Sequence, residues 1–305
     1  MTRRVLVTGV TGFIGRHALA PLLARGFEVH AVYHNAPLQI DGVLWHQSDL
    51  LNEASTAILC ADVRPTHLLH FAWYAVPGKY WTSPENELWV IATQDLLKAF
   101  AENGGTRAVL AGTCAEYDWT NPPEFLSEIS PLASATLYGI SKNKTWKWAE
   151  NFAREQNISL AWGRIFLLYG PHEDPARLVP SVITSLLDGK EANTTSGEQI
   201  RDFLHVEDVA SAFVSLLDSD VRGAVNIGSG SPTAVKDIVL GIADIIGRQD
   251  LVRLGALPSR PNEPARLVAD TTRLSQEVGF RPRYSLREGL EKTILWWKEN
   301  TARDR

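Results

Sequence analysis

Apolar positions along the first half of the chain alternate between two spacings. Short runs rich in β-branched residues, at 5–8 (Val5-Leu6-Val7-Thr8), 28–33, 43–46, 66–71, 107–111 and 158–166, predict strands. Longer stretches with apolar residues every three or four positions, at 13–25, 52–60, 84–102 and 136–156, predict helices. In 84–102, Leu88, Ile91, Ala92, Leu96 and Phe100 fall on or near one face. Strands alternating with helices predict a parallel sheet covered on both sides, and such a sheet binds ligands beyond the carboxyl ends of its strands. After Pro171 the rhythm loosens. Helices are expected at 175–187 and 206–217, flanking a polar stretch at 189–199, and 225–227 reads as a short strand returning to the sheet. Further helices are expected at 235–246, 271–278 and 286–299, with a Pro-rich loop at 257–264. Without a repeat, a charge block or a clear linker, the second half is expected to pack on the first as a small cap, leaving a cleft between them.

Composition narrows the function. With 305 residues, the chain is one large domain or two intimate ones, well above the size that needs disulfides or metals. A net charge of −5 leaves no basic surplus to neutralise a nucleic-acid backbone. Two cysteines, Cys60 and Cys114, cannot staple such a chain, which fits a reducing compartment. The apolar stretch before Gly9 is too short for a signal peptide, and no apolar run reaches membrane-spanning length. A cytoplasmic protein bound to neither nucleic acid nor membrane is the expectation. The eight histidines lack metal-ligand spacing, so no metal is expected. The ten tryptophans are the one compositional oddity.

The first strand runs into Gly9, Gly12 and Gly15, and a helix follows. The first glycine permits a tight turn, the second lets the backbone approach a pyrophosphate, and the third lets helix and strand pack closely. The helix N-terminus then faces the anion. The end of the second strand should meet the adenine ribose, where an acid favours NAD. Here Tyr33-His34 stands instead, which favours NADP over NAD. Asp49, after the third strand, has two readings: an acceptor for the adenine amino group, or the cap of the helix at 52–60.

Tyr138 and Lys142 are four residues apart on a predicted helix and share one face. An ammonium beside a phenol favours the phenolate, and a tuned phenol exchanges a proton with a carbinol or carbonyl. Thr113, at the end of the strand at 107–111, opens on the same sheet edge as the glycine turn. Its hydroxyl is placed to polarise that carbonyl.

Taken with Arg164 to Pro171, Gln199 to Asp208, Asn226-Ile227-Gly228 and Arg260-Pro261-Asn262-Glu263, these features resemble the extended short-chain dehydrogenase/reductase family, in particular its NAD(P)-dependent nucleotide-sugar epimerases, dehydratases and ketoreductases. The resemblance implies an α/β fold: a doubly wound Rossmann domain over 1–167 with a return segment at about 200–228, and a smaller α/β substrate-binding cap from 168–199 and 229–305. It implies cofactor contacts along Gly9, Gly12, Phe13, Ile14, Gly15, Tyr33, His34, Asp49, Leu50, Phe71, Ala72, Trp73, Tyr138, Lys142 and Phe166. Thr113, Tyr138 and Lys142 would be catalytic. The sugar nucleotide would meet Trp73, Tyr74, Tyr80, Cys114, Leu167, Arg201, Arg260 and Glu263, the two arginines on the diphosphate and Glu263 on the ribose. Asp208 is expected to cap the helix at 206–217. A homodimer is implied through the helices at 84–102 and 136–156, whose Trp89, Phe100, Trp146, Trp148 and Phe152 exceed what one sheet face needs.

Departures from the family pattern refine this. Dehydratases place Asp-Glu directly after the active-site Thr, where this chain has Cys114-Ala115, which argues against water elimination. Many relatives have Asn where this chain has Leu167 and Trp89. Trp73, Tyr74, Tyr80 and Trp81 form either an aromatic wall for a deoxy sugar or a hydrophobic lid. The leading expectation is a 4-ketoreductase of a nucleotide-linked 4-keto-6-deoxy sugar. The alternatives are a 4-epimerase with retained NAD and, from another class, a non-catalytic dinucleotide-binding regulator.

Overall fold

A computed structural model describes residues 2–259 and 263–301. The first half runs β1 (Arg4–Thr8), α1 (Gly15–Ala24), β2 (Glu28–Tyr33), β3 (Val43–Gln47), α2 (Glu53–Val63), β4 (His67–His70), α3 (Glu85–Glu102), β5 (Arg107–Thr113), α4 (Leu137–Glu155) and β6 (Ser159–Ile165). The second half runs β7 (Leu167–Tyr169), α5 (Leu178–Leu187), β8 (Ala192–Asn193), β9 (Ile200–His205), α6 (Val206–Leu217), β10 (Gly223–Ile227), β11 (Pro232–Ala234), α7 (Val235–Ile246), β12 (Val252–Arg253), β13 (Arg266–Leu267) and α8 (Leu286–Thr301).

Seven strands form one sheet in the order β10-β6-β5-β4-β1-β2-β3, every pair parallel. This is the doubly wound Rossmann order, with its switch point between β1 and β4, where ligands enter such sheets. Because both faces are covered, β1 reads as a continuous apolar run. Val5 and Val7 pack with α1 and α6, while Leu6 packs with the helices of the opposite face. The Trp162 ring on β6 meets Trp146 of α4 at 5.7 Å.

A separate core lies in the second half of the chain, where Ile183, Ile238, Ile242 and Ile294 join α5, α7 and α8. Beside it, β9 is flanked by β11 and β13 and also pairs with β7. Residues 200–205 therefore belong to this smaller sheet, and the return to the large sheet begins with α6. The strand was hidden because Arg201, Asp202 and His205 are all buried in it, masking its apolar period. The predicted helix at 271–278 is a single π-type turn, Arg273–Glu277. Among the described residues, no helix is long and apolar enough to cross a membrane.

Candidate active site

The glycine turn is held by sterics. Gly9 adopts φ +71°, and a Cβ there would lie 2.6 Å from Ala72 N. A Cβ on Gly15 would lie 2.3 Å from the Gly9 carbonyl oxygen. Gly12 is looser, its added Cβ meeting only that oxygen at 3.1 Å. Helix α1 follows Ile14 with no side-chain cap and no acid in its first turn. The uncapped helix start and the glycine turn, with the Arg16 guanidinium held on the Thr11 and Gly12 carbonyls, fit a dinucleotide's pyrophosphate. Phe71 and Ala72 form the facing wall, tied to β1 by Phe71 N–H to the Thr8 carbonyl and Ala72 N–H to the Thr8 hydroxyl.

At the carboxyl end of β2, Tyr33 is half-buried and His34 exposed. A cavity of about 590 Å³ opens there, lined by His34, Trp45, Asp49 and Asp62 among others. Asp49 is exposed and does not cap α2. Its carboxylate accepts from Leu51 N–H, while Asn52 caps the helix by accepting from Ser55 N–H. An Asn closer to the helix took the role considered for Asp49. Leu50 is buried against the α2 side of the sheet.

At the reactive corner, β5 delivers Thr113 and the first turn of α4 delivers Tyr138. Thr136 caps α4 by accepting from Gly139 N–H. The Thr113 side chain lies close enough to the Tyr138 phenol to favour its charged form. Lys142, one turn on, is buried. It donates to the Ala111 carbonyl at 2.9 Å and lies 3.7 Å from the Trp73 ring centroid, but 6.0 Å from that of Tyr138. Burial pushes the phenol of Tyr138 up, with the neighbouring Tyr80 adding to the shift, and lowers the Lys142 ammonium to about 7. Burial, rather than the ammonium one turn away, dominates the Tyr138 phenol.

The aromatic loop packs directly on this corner. The Tyr80 ring meets Tyr138 edge-on at 4.9 Å, and Trp81 meets it at 5.9 Å. Trp81 also accepts the Tyr138 N–H on its carbonyl. Asn86, fully buried, organises the loop: its amide donates to the Tyr80 and Ser83 carbonyls and its Oδ1 accepts from Trp73 Nε1. Arg177, just before α5, lies 5.3 Å from the Tyr80 ring. Tyr74 is half-buried in the same loop.

Beneath the corner lies an ion pair that the sequence reading missed. Glu116 is fully buried, accepting from Arg164 Nε at 2.8 Å, from Trp162 Nε1 and from Thr113 N–H. Arg164 also donates to the Tyr117 hydroxyl, which donates to Asn226 Oδ1. Thr113 and Glu116 form a reciprocal cap on the short turn Cys114–Glu116. The signal was present, since Thr-x-x-Glu is the capping-box pattern. Glu116 does not replace the missing dehydratase acid, because its carboxylate is spent on these partners.

Other candidates are scattered. Cys114 and Phe166 are buried together with Tyr117, Leu126 and Leu267, and burial pushes the Cys114 thiol up to about 12. Leu167 packs on the core of α5, α7 and α8. Arg201 is buried and pairs with Glu263 at 2.8 Å, bringing those two candidates together. Arg201 does not pair with its chain neighbours Asp202 or Glu207: Asp202 accepts from Ser229, Gly230 and Ala269, and Glu207 pairs with Lys292. Asp208 does not cap α6. That role falls to the His205 ring, and Asp208 accepts from the N–H groups of Arg283 and Tyr284. Arg260 lies outside the described residues.

A doubly wound sheet, a glycine turn shaped for a pyrophosphate and a Thr–Tyr–Lys corner at the same strand edge define a dinucleotide-binding protein of the oxidoreductase class. The model of the NAD dependent epimerase/dehydratase family matches residues 5–228, and the chain belongs to that family. It is similar to dTDP-4-dehydro-6-deoxy-D-allose reductase of Streptomyces bikiniensis, at 28% identity over 98% of this chain and 97% of the relative. Among solved structures, MoeE5 in complex with UDP-glucuronic acid and NAD is 31% identical, with TM-score 0.84 over 97% of this chain and 99% of that one. UDP-glucose 4-epimerase of Thermus thermophilus in complex with NAD is 26% identical, with TM-score 0.86 over 97% of this chain and 99% of that one.

Proposed function

We propose that this chain is a cytoplasmic 4-ketoreductase of a nucleotide-linked 4-keto-6-deoxy sugar, working as a homodimer and using NADPH ahead of NADH. The observation that carries the reading is the convergence of the Thr113 side chain on the Tyr138 phenol beside a buried Lys142, with Cys114 and Ala115 where a dehydratase needs acids. The similarity to a dTDP-4-keto sugar reductase supports it.

When bound, the dinucleotide supplies the hydride. The chain's own residues do the rest. The Thr113 hydroxyl orients the sugar carbonyl, and the Tyr138 phenol donates its proton to the oxygen as charge develops there. A phenol held high by burial is protonated at neutral pH, as a donor must be. Lys142 offers an ammonium to the phenolate left behind and to the nicotinamide ribose. Arg201 and Arg260 hold the diphosphate and Glu263 the nucleotide ribose, which requires the Arg201–Glu263 pair to open or share its donors. Tyr80 and Trp81 present a wall to the apolar face of a deoxy sugar.

The NADPH preference rests on Tyr33-His34 at the end of β2, where no carboxylate repels a 2′-phosphate. The dimer rests on Leu88, Ile91 and Ile140, exposed on α3 and α4. Phe100 and Trp146, counted toward that interface from the sequence, instead face the sheet and are buried. The second reading, a 4-epimerase using the same residues, is favoured by the likeness to the Thermus thermophilus enzyme.

One experiment separates the readings. The purified protein is given dTDP- or UDP-4-keto-6-deoxyglucose with NADPH or NADH, and UDP-glucose in a parallel reaction. Stoichiometric loss of the reduced cofactor, faster with NADPH, is expected. Interconversion of UDP-glucose and UDP-galactose without net cofactor use would overturn the reductase in favour of the epimerase.

A further inference from the structure

We propose that Trp73 is the positioning residue for Lys142: its indole face is the seat that keeps the buried ammonium charged and aimed into the cofactor cleft. The proposal rests on the reading of Lys142 as a cofactor-holding residue.

Lys142 is 3% exposed, and its ammonium has three protons to place. One goes to the Ala111 carbonyl at 2.9 Å, and the Trp73 ring centroid lies 3.7 Å from Nζ. An indole face is the strongest aromatic partner for a cation, and the attraction grows when water is excluded. The ring is not free to drift. Its Nε1 donates to Asn86 Oδ1 at 2.8 Å, and Asn86 is itself fully buried and committed to the Tyr80 and Ser83 carbonyls. Trp89 stands behind at 6.3 Å between ring centroids. One buried amide thus sets both the aromatic loop and the seat of the lysine.

The charged and titratable groups around Lys142 leave the ring, beside the Ala111 carbonyl, as its close source of negative potential. Glu116, from the turn after β5, favours the ammonium but is already held by Arg164. His70, at the end of β4, is kept neutral by burial and by Lys142 itself, with its pKa lowered to about 3. Tyr138, from the same helix, is pushed toward its neutral form. Desolvation lowers Lys142 to about 7, so the loss of any group that favours the cation matters near neutral pH.

The test is the affinity for NAD+, measured calorimetrically across pH with the whole chain. In wild type, the part of the affinity due to Lys142 is present below its pKa and fades as pH rises through it. Trp73→Leu should move that midpoint down by roughly half to one and a half pH units. Trp73→Phe, which keeps a face but loses the bond to Asn86, should move it less. A Trp73→Leu protein that binds NAD+ with an unmoved midpoint would overturn the proposal. If that variant does not fold, Trp73→Phe decides: a lowered midpoint supports the seat and an unmoved one overturns it. Lys142→Ala keeps the two readings apart. If it leaves NAD+ affinity intact at all pH values, the cofactor role of Lys142 fails. If it weakens binding while the Trp73 variants leave the midpoint in place, only the seat fails.

Discussion

At the glycine turn between Thr8 and Gly15 the chain works chiefly with backbone. At the Tyr138 corner it works with side chains drawn from separate segments between Trp73 and Arg164. The turn needs atoms to be absent: a Cβ on Gly15 would sit 2.3 Å from a carbonyl oxygen, and the helix start is left uncapped. The corner needs atoms to be present and dry, with Tyr138 under Tyr80 and Trp81, Lys142 on Trp73, and Glu116 buried on Arg164. The first is a steric device and the second an electrostatic one. Damage to one should therefore leave the other recognisable.

The sharpest way to break this comparison is Tyr138→Phe. It removes the proton and keeps the ring, so kcat should fall by roughly 10²–10⁴. NAD+ affinity should stay put, because the glycine turn is untouched. Single-turnover hydride transfer with cofactor bound is the measurement, and a parallel loss of NAD+ affinity would mean the two ends are not separable.

Next in size is Glu116→Gln. It leaves the Arg164 guanidinium buried without its counter-charge, at a cost of about 3–5 kcal/mol in unfolding free energy. Urea denaturation followed by far-ultraviolet circular dichroism reads it. A loss below about 1 kcal/mol, the scale of an exposed pair, would show that Arg164 finds another partner.

The smallest effects divide the glycines among themselves. Gly15→Ala forces backbone apart and should cost about 1–3 kcal/mol in stability. Gly12→Ala has room in the protein and should cost less, yet weaken NAD+ binding about tenfold or more, since its added methyl stands where the pyrophosphate approaches. Thermal unfolding and calorimetric titration of the two variants together would sharpen the comparison, and equal effects on both readouts would blunt it.

The same division governs what could be read from the residues. Strand β2 and helices α6 and α7 fall where their patterns predicted, because each is long or strongly periodic. Strand β9 did not, because Arg201, Asp202 and His205 are buried in it by partners that local spacing does not reveal. Tyr138 and Lys142 were legible as a pair on one face. Their proton affinities were not, since these depend on how much water the loop at 73–84 excludes. Asn86 was not legible as the organiser of the aromatic loop, because nothing local says that a polar residue at the helix start is turned inward.

By itself, the sequence determined the alternation of strand and helix, the glycine turn, the Thr–Tyr–Lys set and the absence of acids at 114 and 115. All of these are properties of neighbouring residues, whose geometry follows from bond rotations and steric contact over a few positions. Only the tertiary structure decided that Glu116 is spent on Arg164, that Glu263 pairs with Arg201, and that Lys142 rests on Trp73 rather than beside the Tyr138 ring. These outcomes depend on burial and on partners distant in the chain. In a dry interior the nearest available charge, carbonyl or ring face decides a group's state, and proximity there is set by packing.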